Sequence, residues 1–163
     1  MAVNFDAHVR LTEALLPLLR RSAPSAIINV GSVASRVSRP GAGAYSASKF
    51  ALVGWTEALH MEERPHGVHV GLVQPGFAVT EGFPQQELVA RPLTRWMVST
   101  EDKVADGIVD AWKRRRAERY VPRPYALVPV ARTLLPGLYR RVVGGGAFTP
   151  SVRQPGTGEE HRA

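Results

Sequence analysis

Apolar positions along the chain recur with two different periods, and the period decides which element each stretch can form. From Ala7 to Arg21, the residues Val9, Leu11, Ala14, Leu15, Leu18 and Leu19 fall mostly three or four apart, which predicts an amphipathic helix. Pro17 lies inside it and is expected to kink it or be absorbed by its neighbours, because proline removes a backbone donor and crowds the preceding turn. After the punctuation of SAPS, the run AIINV (Ala26 to Val30) is short, continuous and apolar, the pattern of a strand buried on both faces of a parallel sheet. A second helix is predicted from Tyr45 to Glu63, with Phe50, Val53, Trp55, Leu59 and Met61 among its apolar residues, and a second buried strand over VHVGLVQ, Val68 to Gln74.

A third helix is expected from Thr100, an N-cap candidate, to Arg116. Glu101 and Asp102 fall in its first turn, where carboxylates meet the positive end of the helix dipole. RYVP reads as a last short strand, and a short amphipathic helix is expected between Ala131 and Val143. Helices alternating with strands imply an α/β fold, a partial Rossmann-like doubly wound parallel sheet of about three strands with flanking helices. Residues 1–122 form the expected domain, 123–143 a basic and apolar extension, and 144–163 a tail expected to be disordered, with little to bury.

Length and charge narrow the function classes. A chain of 163 residues is one domain. It has no apolar run near the roughly 18 residues that a membrane span needs. No cysteine and no leader-like start make the cytoplasm the expected compartment. The net charge of +7 is carried mainly by arginine, lysine appearing only at positions 49, 103 and 113. Nucleic acid is not an expected partner, because the arginines show neither a recognised motif nor interleaved stacking aromatics. Peripheral membrane contact through the cationic and apolar stretch from Lys113 to Arg141 is an alternative, with a basic helix packed beside the substrate crevice favoured over it.

Ligands of an open parallel sheet bind outside the carboxyl ends of its strands, which directs attention to two loops. The first carries Ser32 and leads to Tyr45 and Lys49; the second begins Pro75, Gly76 and reaches Thr80. Four residues apart on a helix, Tyr45 and Lys49 project from one face about 6 Å apart along the axis. A neighbouring ammonium favours phenolate, which makes Tyr45 a candidate general acid/base. An isolated pair of this kind is more often an exposed tyrosine over a lysine stem. Here Ser32, thirteen residues before Tyr45, adds a hydroxyl that can polarise a carbonyl oxygen, and Asn4 lies within reach of the same crevice. Other chemistries fail on spacing: Ser32 lacks the G-x-S-x-G elbow, and the histidines at 8, 60, 66, 69 and 161 are too scattered to predict a metal site.

These residues carry a resemblance. Asn4 in VNF, Ser32 after the strand in INVGS, Tyr45 and Lys49 in YSASK, and Pro75, Gly76 and Thr80 in PGFAVT stand in the order and spacing that resemble the short-chain dehydrogenase/reductase family. The resemblance is close over 1–80 and looser to about Pro122. It implies an NAD(P)-dependent oxidoreductase that interconverts a carbonyl and a secondary alcohol, with Tyr45 as acid/base. Lys49 would lower the tyrosine's pKa and bind the nicotinamide ribose, Ser32 would orient the substrate, and Asn4 would hold a water in the proton relay. Pro75, Gly76, Ala78 and Thr80 would embrace the nicotinamide end of the cofactor, NADP being preferred to NAD although nothing in the sequence reads the choice. Ala78 stands where the family often has a larger β-branched residue.

The family's glycine-rich turn after its first strand is missing. GAGAYS precedes the second helix and VGGGAF follows no convincing strand, so neither has the context that pyrophosphate binding requires. The resemblance therefore implies that the family's first four strands are absent, and a truncated chain or a mis-called start is expected, leaving AIINV with an open edge. A homo-oligomer built on the two long helices is expected by the same resemblance. The alternative is a non-catalytic fragment or oligomerisation module. Phe83, Leu88, Leu93, Trp96 and Met97, in the loop where the family closes over its substrate, point to a small hydrophobic carbonyl or alcohol.

Overall fold

The computed structural model describes residues 1–38, 40–78 and 98–145. Ala2–Asp6 forms one wide π-type turn that runs directly into helix α1 (Ala7–Arg21). There follow strand β1 (Ser25–Val30), a 3-10 turn at Val33–Ser35, helix α2 (Gly43–Glu63) and strand β2 (Val68–Pro75). Two short strands, β3 (Phe77–Ala78) and β4 (Val98–Ser99), pair in parallel beside the main sheet. Helix α3 (Glu101–Lys113), strand β5 (Glu118–Val121), a 3-10 turn at Arg123–Ala126 and helices α4 (Leu127–Leu134) and α5 (Pro136–Gly144) complete the described chain.

The main sheet is parallel with strand order β1-β2-β5, Ser25 opposite Val68 and Leu72 opposite Glu118. Side chains alternate across it, so the two faces carry different chemistry. Ile28, Val73 and Val121 meet Val104, Ile108 and Ala111 of α3 in an apolar cluster. Asn29, Leu72, Gln74, Glu118 and Tyr120 have the opposite parity, and on that side the Asn29 amide donates to Thr56 Oγ1 of α2 at 2.9 Å. As the central strand, β2 is buried from Val68 to Gln74, which is why its sequence reads as an unbroken run rather than an alternation.

β1 has no second partner strand among the described residues, and most of it is only half-buried. Beside it, α1 buries Thr12 alone, while Leu11, Leu15 and Leu18 of its apolar stripe are exposed. What holds α1 is polar and aromatic. Arg20 makes a two-pronged ion pair with Glu63 of α2, which is 1% exposed, and Phe5 meets the Trp55 ring edge-on at 6.4 Å. Pro17 is absorbed without ending the helix.

Two expected boundaries shift for local reasons. α3 stops at Lys113 rather than Arg116, because Arg115 adopts a left-handed conformation (φ 49°) just past the helix. Thr100 does cap its other end, accepting from the Lys103 N–H. The expected single helix over 131–143 is two helices and begins earlier. Leu135, preceding Pro136, is pushed out of the helical region to φ −129°, ψ 58° and breaks the run. The tail beyond Gly145 and the loop carrying Phe83 to Met97 lie outside the described residues. Among the described residues no helix is long and apolar enough to cross a membrane.

Candidate active site

Ser32 follows β1 by two residues, with extended backbone at φ −169°, and its Oγ caps the 3-10 turn by accepting from the Ala34 N–H at 3.1 Å. Its own N–H donates to Gln74 Oε1 at 3.0 Å. Gln74 is fully buried at the end of β2; the same oxygen accepts from Ser35 Oγ at 2.8 Å, and its Nε2 donates to Glu118 at 3.0 Å. Gly31 makes this possible, since a Cβ there would lie 2.5 Å from Gln74 Oε1. Glu118 in turn accepts from Arg36 and from the Tyr120 hydroxyl at 2.9 Å. Burial and the adjacent carboxylate push the Tyr120 phenol well above its usual pKa, keeping it protonated as a donor.

α2 opens right after that loop. Tyr45, in its first turn, is 44% exposed, whereas Lys49, one turn on, is only 9% exposed. The Lys49 ammonium reaches back to the last residue of β1 and donates to the Val30 carbonyl at 3.1 Å. Burial lowers its pKa from the ordinary lysine value. Asn4 is tied to the same turn: its amide donates to Ser48 Oγ at 3.4 Å, and Ser48 donates to the Tyr45 carbonyl at 2.7 Å. Strand end, wide N-terminal turn and helix start are thus linked by hydrogen bonds, with an exposed tyrosine one turn from a sequestered cation.

The neighbouring strand end supplies the second loop. Pro75 pairs with Val121, and the Gly76 N–H donates to the Val121 carbonyl at 2.8 Å. A Cβ on Gly76 would collide with the ring of Tyr125, which is 4% exposed. Burial pushes the Tyr125 phenol up to about 12, opposed by its hydrogen bond with the Phe77 backbone. Ala78 belongs to β3, paired with Ser99; Thr80 lies outside the described residues. No group of three or more metal-ligating side chains occurs among the described residues.

The geometry connects Asn4, Ser32, Tyr45 and Lys49 around the carboxyl end of β1, with Pro75 and Gly76 at the end of the adjacent strand. Gln74, Glu118 and Arg36, which brace this corner, are absent from the residues the sequence reading singled out. One signal was available for Gln74: a single amide closing an otherwise nearly apolar run, in parity with buried Leu72.

A helix-flanked parallel sheet with its polar constellation at the carboxyl edge is a Rossmann-like α/β fold. The chain belongs to the short chain dehydrogenase family, whose sequence profile matches residues 1–88. It is 46% identical over 75 residues to the uncharacterized oxidoreductase YbbO of Escherichia coli K12, covering 46% of this chain and 28% of that protein. It is 43% identical over 76 residues to the 3-ketodihydrosphingosine reductase of Bacteroides thetaiotaomicron VPI-5482, covering 47% of this chain and 28% of that one. A short chain dehydrogenase from Burkholderia cenocepacia, solved in complex with NADP, superposes with a TM-score of 0.72 at 26% identity, over 91% of this chain and 57% of that chain. The chain thus spans little more than half of that structure and matches a smaller share of the two curated relatives.

Proposed function

We propose that this corner is the catalytic half of an NAD(P)-dependent oxidoreductase site acting on a carbonyl or secondary alcohol. The observation that carries it is Lys49, whose buried ammonium is anchored on the Val30 carbonyl and which stands one helical turn along α2 from the exposed Tyr45. A bound nicotinamide supplies or accepts the hydride. Tyr45 Oη passes the proton to or from the substrate oxygen, and Lys49 sets a positive field beside it, stronger for being out of water. Ser32 Oγ accepts from Ala34, which leaves its O–H free to donate to the same substrate oxygen. Asn4, bonded to Ser48, would hold a water on the proton's way to the lysine.

Tyr45 and Lys49 would hold the ribose, and the backbone from Pro75 to Ala78, with Thr80, the nicotinamide. NADP is favoured, in line with the cofactor of the Burkholderia enzyme. A hydrophobic carbonyl compound is the proposed substrate, as the name of the Bacteroides reductase also points to a lipid-like one. The exposed leucines of α1 support a second reading, that the chain acts as an association module and its two long helices build a homo-oligomer.

Titration of the 163-residue chain with NADPH and NADH, followed by nicotinamide fluorescence, tests the first reading. Saturable binding, together with turnover of a hydrophobic ketone that Tyr45→Phe abolishes, is expected. A folded chain that binds neither cofactor but forms a defined oligomer establishes the second reading instead.

A further inference from the structure

We infer that α4 and α5 form a docking face for the surface of an anionic lipid bilayer. Leu127, Val130 and Leu134 stand at i, i+3 and i+7 on α4 and are 69%, 51% and 72% exposed. That spacing is a single stripe on one side of a helix. The other side is held against the body. Val128 packs on the cluster of Val33, Tyr120 and Tyr125, and the Arg132 guanidinium lies 5.0 Å over the Phe50 ring and donates to the Arg36 carbonyl at 2.8 Å. Beyond the break, Leu135, Leu138 and Val142 continue the exposed apolar series, while Tyr139 turns inward and its hydroxyl donates to the Ser38 carbonyl. The leucines are therefore turned outward by fixed inward contacts.

Charge selects the occupant. From Tyr120 to Gly145 the sequence contains no aspartate or glutamate; Arg132 is turned inward, and Arg123, Arg140 and Arg141 are exposed. Exposed apolar side chains with Arg140 and Arg141 on the same pair of helices, 8 and 9 residues long, suit helices lying in the plane of a bilayer interface and far too short to span one. A second copy docked about a twofold axis would set the arginines of these helices against their own kind, with no carboxylate on either helix to answer them. Nucleic acid would answer the arginines and leave the leucines in water. α4 is packed on the body through Val128 and Arg132 and presents its other side. This inference stands on surface residues alone and is independent of the catalytic reading.

The test is flotation of the 163-residue chain with phosphatidylcholine vesicles, with and without phosphatidylglycerol, at low and high salt. Binding to the anionic vesicles that weakens with salt is expected. Leu134→Gln with Leu138→Gln should weaken it at least about tenfold. Arg140→Gln with Arg141→Gln should weaken it roughly tenfold and flatten the salt dependence. Leu11→Gln, Leu15→Gln and Leu18→Gln on α1, a control for indiscriminate apolar adsorption, should leave it unchanged. The inference is overturned if the folded chain ignores anionic vesicles or if the α4 and α5 variants bind as well as the parent. It is also overturned if the α1 variant loses binding equally, or if Leu134→Gln with Leu138→Gln dissociates an oligomer and leaves vesicle binding intact.

Discussion

An ammonium taken out of water loses hydration that a single carbonyl replaces only in part, and Lys49 pays this cost at the centre of the candidate site. Its folded-state pKa lies below the ordinary lysine value of about 10.4, so the charged amine weakens folding at neutral pH, and the penalty fades as pH rises from the folded value towards the ordinary one. Lys49→Met is expected to raise the urea midpoint at pH 7 and to lose that advantage near pH 10. A midpoint at pH 7 no higher than the parent's would mean that the bond to Val30 offsets the desolvation. Gln74 behaves in the opposite sense. Gln74→Leu strands the Ser32 N–H, the Ser35 hydroxyl and one acceptor site of Glu118, and should cost about 1 to 3 kcal/mol for each group left buried and unsatisfied. Urea denaturation reads the loss. Faster amide exchange at Ser32 would locate it, and unchanged exchange there would remove Gln74 as the brace of that loop.

Between elements, the junction of α1 with α2 rests on Arg20 and Glu63. The hydrogen bond from Arg20 holds the Glu63 carboxyl below its ordinary pKa. The contribution is therefore complete above the unfolded value, about 4.3 for glutamate, and is lost as pH falls through the lower folded value. Thermal midpoints from pH 3 to pH 7 should show the parent most superior to Glu63→Gln at neutral pH and the gap closing in acid; a gap independent of pH would contradict the pairing. The elements themselves were largely legible, because period and burial are local. Val68 to Gln74 read as a buried strand, and Thr100 as the start of a helix. Leu135 could have been found as a break from the proline after it. The Gln74 to Glu118 bond could not, since it joins residues 44 apart through the register of β2 on β5. Nor could the outward turn of the α1 leucines, because helical period says which side is apolar and nothing about what that side faces.

At the scale of the molecule, two apolar clusters on opposite faces of one sheet carry the fold, and the C-terminal segment belongs to one of them. Tyr125 is buried with Val33 and Tyr120 in the cluster on which Val128 of α4 packs, and it overlies Gly76. Tyr125→Ala should cost about 3 to 5 kcal/mol, the usual range for emptying a large aromatic site. Its circular-dichroism melt should fall as one cooperative transition; a change confined to the signal of α4 and α5 would show the segment to be a mere appendage. The same ring serves as a pivot between two working parts. On one side it fills the space above the turn that leaves β2, and on the other it is the root from which α4 and α5 project. Because the ring packs at both, a substitution that unseats α4 and α5 is expected to loosen the Gly76 turn as well. A ring wedged between two elements cannot follow one without releasing the other.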